Sequence, residues 1–433
     1  MKSRTRFLVL LGTAAAAFSS LTDAAPQEPA AARARPPLVI QVGVELIQID
    51  ASVTDRKGRP IADLRAEDFT LEVDGKKRLL TNVSYFGSAE PGVRTGEEGA
   101  GTNAAPEDAG PGPSPGNTVV FVIDDLNMSF NSMYQARRGL TKFASEWQES
   151  RTRAAVRTTS DEAMTFTLFN NAPEFESAAA ELRYNIRSDK GIASFRPTLS
   201  DRGATAGMAA VMEGNMSANP GLLHANLRQR FSSLITTINS LRSVPGRKAV
   251  VLVSEGFTVV PSGSAPVGFE GAFSSLFLGT SLIHEGVRLI TEVANRASVV
   301  VYAVDPRGLI VDTPGAAHDP SPGQLERMVG NRMAERIVSQ ASLQQLADAT
   351  GGLAIANRND LKGGFGDVLK DQSAYYLIGF EPSRETFAKK SGRPRFHKIK
   401  LKVNRPDARV RTREGFYGIT DQEVNERAPA ARP

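Results

Sequence analysis

Residues 119–130 read VVFVIDDLNMSF. Five apolar residues, none of them Leu, run without alternation into two adjacent aspartates. Such a run is expected of a strand buried on both faces, as in a parallel sheet covered by helices. The doublet at its end raises a second question. Two like charges side by side are costly unless a positive charge or ample water sits nearby. In open parallel sheets, ligands bind at the carboxyl ends of the strands.

Two further stretches have the same character, KAVVLVSE (248–255) and ASVVVYAVD (297–305). A fourth, EAMTFTLFN (162–170), is more mixed and is expected nearer an edge. Helical spacing lies between them. Ala136, Leu140, Phe143 and Trp147 share one face, and LRQRFSSLITTINSLRSV (227–244) and SLIHEGVRLITEVANRA (281–297) repeat the pattern. Alternating strands and helices predict a doubly wound, mostly parallel α/β domain over residues 118–356. Gly351 and Gly352 are expected to cap its last helical stretch. The Gly-rich GGFGD (363–367) reads as a turn, since no strand with a phosphate-binding pattern precedes it.

The flanks differ. Residues 38–87 alternate apolar and polar positions, with Asp74-Gly75 as a hairpin signal. Residues 372–418 return to strand-like pieces, QSAYYLIGFEP, RFHKIKLKVNRP and ARVRTREGFYG. The two flanks are expected to pair as one β-sandwich interrupted by the α/β domain, with two separate β-units as the alternative. Residues 88–117, rich in Gly, Ala, Pro and Glu, read as a flexible linker. Residues 419–433 read as a tail.

Composition narrows the function. The chain has 433 residues, is 41% hydrophobic and 23% charged, and has no cysteine. Disulfides, zinc-thiolate sites and cysteine nucleophiles are thereby excluded. The formal charge of +5 includes three cations and one anion of the first 24 residues, and no dense basic block with interleaved aromatics appears. Nucleic acid is not an expected partner. Lys2, Arg4 and Arg6 precede FLVLLGTAAAAF and the small residues before Ala24. Residues 1–24 therefore read as a secretory signal peptide, which places the protein in the periplasm or outside the cell. No span of about 20 apolar residues follows it.

The strand ends carry a recognisable constellation. Asp125-Leu126-Asn127-Met128-Ser129 follows the first strand, RGATAG contains Thr205, and VSEG contains Glu255. This resembles the von Willebrand factor A (VWA) fold and its metal-ion-dependent adhesion site. That family has Asp-x-Ser-x-Ser after its first strand, a Thr from a later loop and an Asp after its fourth strand. Asn127 stands for the first Ser, and Glu255 stands where the family usually has Asp. The wider layout resembles the VWFA-related proteins common in acidobacteria, through IDASVTDRKGRPIADLRAEDFTLEVDGKK, VIDDLNMSF, VVLVSEGF, VVVYAVDPRGL, AYYLIGFEP and LQQLADATGGLAIANRNDL. The resemblance covers most of residues 40–418 and is specific for fold.

The resemblance implies a Mg²⁺ or Mn²⁺ site, with Ca²⁺ as a further option, held by Asp125, Asn127, Ser129, Thr205 and Glu255. Such ions take about six oxygen ligands. A protein partner's acidic side chain then fills the open position. Asp124 is expected in a second shell or in water, because its own register puts Leu126 and Met128 at the ligand positions. The metal-free alternative has Ser129 as a helix N-cap and both aspartates solvated. The function implied is binding, not catalysis. A metal-free envelope scaffold is the second reading, and a hydrolase around Ser254 the third. Ser254 lacks the first Gly of a nucleophile elbow, and none of His224, His284, His318 and His397 is singled out as a base. The long stretch 259–279, with Phe269, Phe273, Leu276 and Phe277, reads either as a partner-contacting loop or as a buried short helix.

Overall fold

The structure is a computed structural model. It describes residues 46–87, 116–147, 152–163, 165–186, 188, 220–257, 269–309, 322–389 and 394–418. Residues 1–45, 88–115 and 419–433, which include the stretches expected as signal peptide, linker and tail, lie outside the described residues, as do Thr205 and His318.

The first strands, in chain order, are β1 (Ile47–Thr54), β2 (Phe69–Val73), β3 (Lys76–Arg78) and β4 (Leu80–Gly87). The central part holds β5 (Thr118–Ile123), α1 (Phe130–Glu146), β6 (Arg153–Thr158), α2 (Ala172–Ala180) and α3 (Pro220–Ser240). It continues with β7 (Lys248–Val253), α4 (Phe269–Ala297), β8 (Val299–Val304), α5 (Pro322–Thr350) and β9 (Ala354–Ile355). Then come α6 (Leu361–Gln372), β10 (Ala374–Phe380), β11 (Phe396–Val403), β12 (Arg409–Thr412) and β13 (Gly415–Tyr417).

The two flanks pair. β1 runs antiparallel between β10 and β12, with Ala51 opposite Tyr376 on one side and Thr412 on the other. The sheet order is β12-β1-β10-β4, and a second antiparallel sheet runs β13-β11-β2-β3. Their inner faces share one core: Ile49, Ala51 and Ile378 from the first, Leu71, Ile399 and Leu401 from the second. Strand β11 shows the cause. His397, Ile399 and Leu401 are buried while Lys398, Lys400 and Lys402 between them are exposed, a period of two that leaves one face wet. Asp74 and Gly75 both have positive φ (51° and 76°), as the two-residue turn joining β2 to β3 requires.

The continuously apolar runs form a wholly parallel sheet of order β6-β5-β7-β8-β9. Val119, Phe121 and Ile123 pack under α1, α2 and α6, whereas Val120 and Val122 pack under α3, α4 and α5. Both faces of β5 are therefore dry, which is why it carries no polar alternation. On the first face Phe121 touches the rings of Phe143, Phe175 and Phe365. No described helix is long and apolar enough to cross a membrane.

Two expectations are corrected. The segment 162–170 is not a strand: its part in the sheet is one antiparallel bridge, Phe169 to Ala154. The edge strand beside β5 is β6, whose Arg153 and Arg157 break the apolar pattern. GGFGD is not a turn but lies inside α6, which starts at Asp360 as N-cap and buries Phe365. Gly351 and Gly352 do close α5, with φ of 81° at Gly351 and Gly352 N–H bonded to Ala347 C=O at 2.8 Å.

The sandwich is joined to the α/β part around Asp371, in the last turn of α6. Its carboxylate accepts hydrogen bonds from Ser52 of β1, Arg411 of β12 and Tyr302 of β8. Arg247 Nη2 lies 4.0 Å away and its Nη1 donates to Asp371 C=O at 2.9 Å. The Arg247 guanidinium also covers the Tyr375 ring, 4.3 Å from its centroid.

Candidate functional site

From β5 the chain passes through α1 to β6 on one side of the sheet order. From β7 it passes through α4 to β8 on the other. The carboxyl ends of β5 and β7 thus border the point where the connections diverge, the usual place for a ligand in such a sheet. The residues 124–129 and 254–257 meet there.

Asp124 is fully buried and sits directly after β5, its N–H bonded to Val253 C=O at 2.9 Å. Its charge is answered by Arg230 of α3. Arg230 Nε lies 2.8 Å from Oδ1 and Nη2 lies 2.6 Å from Oδ2, a forked pair with side-chain exposures of 1% and 0%. Nη2 also donates to Gly256 C=O at 2.8 Å, and the guanidinium lies 4.9 Å from the Phe257 ring centroid. Among the described residues Nη1 has no hydrogen-bond partner. Ser254 Oγ and Thr159 Oγ1 add further donors to the same carboxylate.

Asp125 turns to the β6 side. Its Oδ1 accepts from Ser160 N–H at 2.9 Å and its Oδ2 from Ser160 Oγ and, at 3.0 Å, Asn185 Nδ2. Thr159 Oγ1 stands 3.1 Å from both Asp124 Oδ1 and Asp125 Oδ1, so one hydroxyl proton is shared by the doublet. Neither aspartate is solvated, and that part of the metal-free expectation is corrected.

The other expected ligands are engaged in building the loop. Asn127 is buried and its Nδ2 donates to Gly256 C=O at 2.7 Å. Ser129 is the N-cap of α1, its Oγ accepting from Ser132 N–H at 3.3 Å. Glu255 Oε1 accepts the Ser129 N–H at 2.8 Å. The first turn of α1 has no acidic residue of its own, so Glu255 brings the negative charge that a helix N-terminus favours. After β8, Asp305 is held by Arg307 at 2.7 Å and by Gln340 at 2.9 Å. Burial alone would lower the Arg307 pKa, but the Asp305 carboxylate raises it overall.

An octahedral divalent ion needs several of these oxygens to face one point. Both oxygens of Asp124 and both of Asp125 instead receive protein donors, Glu255 Oε1 receives the Ser129 N–H, and the Asn127 amide is oriented by its Nδ2 bond to Gly256 C=O. As arranged, the described members of the expected set do not fit a divalent ion. Among the described residues no group of three or more His, Asp or Glu side chains is placed to hold a metal.

Ser254 is buried, donating to Asp124 and accepting Gly256 N–H at 2.9 Å. These bonds link the β7 loop to the β5 loop. His397 lies in the sandwich, between Asp74 and Thr386 C=O. Of the stretch 259–279, residues from Phe269 onward form the start of α4 and the rest lie outside the described residues.

Sequence reasoning missed Arg230, Thr159, Ser160 and Asn185. For Arg230 a signal was present. The buried face of α3 carries Leu227, Phe231, Leu234 and Ile238, and position 230 belongs to the same stripe. A cation on an apolar stripe implies a buried counter-charge. No protein-family model matches the chain, and no curated protein matches it in sequence.

Proposed function

We propose that this chain is an exported partner-binding protein built on a VWA-type domain, which recognises a protein at the carboxyl edge of its parallel sheet. One observation carries the reading. The loops after β5 and β7 converge at the divergence point and are held rigid there by buried polar contacts, from Asp124 to Arg230 and Ser254 and from Glu255 to Ser129. Large apolar side chains stand exposed beside this framework. Phe130, the first residue of α1, is 66% exposed and meets the Tyr184 ring at 5.5 Å, and Tyr134 is exposed one turn on. Exposed aromatics on a rigid support are a common means of protein recognition. The signal-peptide-like pattern of residues 1–24, a basic start followed by an apolar run and small residues, supports the reading of export.

A second reading, a metal-free scaffold of the cell envelope, is favoured by the Arg230 guanidinium on Asp124. Both readings have one test. Immobilised wild-type protein and Phe130→Asp are compared for retention of envelope and secreted proteins. A partner held by the wild type and lost by the variant, with unchanged circular dichroism, supports edge recognition. Equal retention by both removes it, and retention that is indifferent to EDTA favours the metal-free form.

A further inference from the structure

The doublet at the end of β5 needs a positive charge, and the fold contains one. We infer that Arg230 is the resident cation of this edge, bound at Asp124 beside the expected ligand set and serving there in place of a divalent ion. The inference rests on the geometry around Asp124 and stands whether or not the edge binds a protein.

Three features argue for it. Arg230 reaches its position from the middle of α3, with no exposed surface, so its charge has no solvent to fall back on. Its fork engages both oxygens of Asp124 while Nη2 also takes the Gly256 carbonyl, so one side chain bonds the β5 end and the β7 end at once. A bridging ion performs the same service by collecting oxygens from successive loops. The Arg230 Nη2 to Gly256 C=O bond and the Asn127 Nδ2 to Gly256 C=O bond also converge on one carbonyl, tying α3, the β5 loop and the β7 loop together. This cation is part of the chain itself and is therefore insensitive to metal supply. A divalent ion brought to Asp124 would have to displace an arginine that has nowhere else to pair.

The test uses the full chain. Thermal unfolding is measured in EDTA and in millimolar Mg²⁺, Mn²⁺ or Ca²⁺, with Mn²⁺ binding followed directly by electron paramagnetic resonance. The wild type is expected to unfold at the same temperature in every condition and to leave added Mn²⁺ free. Arg230→Met is expected to unfold roughly 5–10 °C lower, because it leaves Asp124 charged and buried without a partner. Arg230→Met combined with Asp124→Leu is expected to recover most of that loss, since replacing both members of a buried pair is far milder than removing one. A wild-type protein that binds Mn²⁺ and is stabilised by it would overturn the inference. So would an Arg230→Met protein as stable in EDTA as the wild type. Should Arg230→Met fail to fold, the wild-type Mn²⁺ measurement decides alone.

Discussion

Replacing Asp371 with alanine would strike the join between the sandwich and the α/β part. The wild-type carboxylate receives Ser52, Arg411 and Tyr302, with Arg247 at 4.0 Å. Alanine leaves the Arg247 side chain, 2% exposed, facing a site with no counter-charge. Removing one partner of a buried ion pair costs about 3–5 kcal/mol. Arg411 is 26% exposed and can turn to water, so the lower end, about 3 kcal/mol, is expected. Urea unfolding reads this out. The single tryptophan, Trp147, lies in the core beneath one face of the parallel sheet and reports on the α/β part, while far-ultraviolet circular dichroism reports on the whole. Asp371→Ala should lower the tryptophan midpoint. The pH dependence gives a second check. Burial alone would raise the Asp371 pKa, but Arg411 and Arg247 together hold it below the usual carboxylate value. A depressed folded pKa contributes stability that is present above the unfolded value, near 4, and is lost as pH falls through the folded one. The difference between wild type and variant should therefore narrow on acidification below about pH 4. A variant within about 0.5 kcal/mol of wild type at pH 7, or a difference that widens in acid, would refute the reasoning.

Two more substitutions test the supports of the edge. Gly256 has φ of 93°, and a Cβ there would stand 2.3 Å from Ser339 C=O, so Gly256→Ala is expected to cost at least about 2 kcal/mol by thermal unfolding. Phe121 is fully buried among three other rings, and Phe121→Ala should cost about 3–5 kcal/mol in urea, seen as a lower tryptophan midpoint.

The elements legible in the sequence were those whose environment is uniform along their length. β5, β7 and β8 are dry on both faces and therefore continuously apolar, while β11 is wet on one face and therefore alternates. The Asp74-Gly75 turn was legible because its backbone requirement is local. β6 was not. It is an edge strand, and Arg157 can sit in it because the carbonyls of Asp161 and Ala163 receive its guanidinium. Nor was α6, whose three glycines suggested a turn. Asp360 caps its start, and Gly139 of α1 lies so near Leu361 that the two helices touch closely.

By itself, the sequence determined that a parallel sheet covered on both faces would form around VVFVI, and that its polar loop would open at the carboxyl end. Those are consequences of apolar patterning, which acts over a few residues. What answers the Asp124 charge was decided only by the tertiary structure. Arg230 lies 106 residues further along the chain, inside an amphipathic helix whose stripe could have faced any core. Electrostatic pairing depends on distance in space, and only the packing of α3 across β5 and β7 brings that guanidinium within 2.6 Å of the carboxylate.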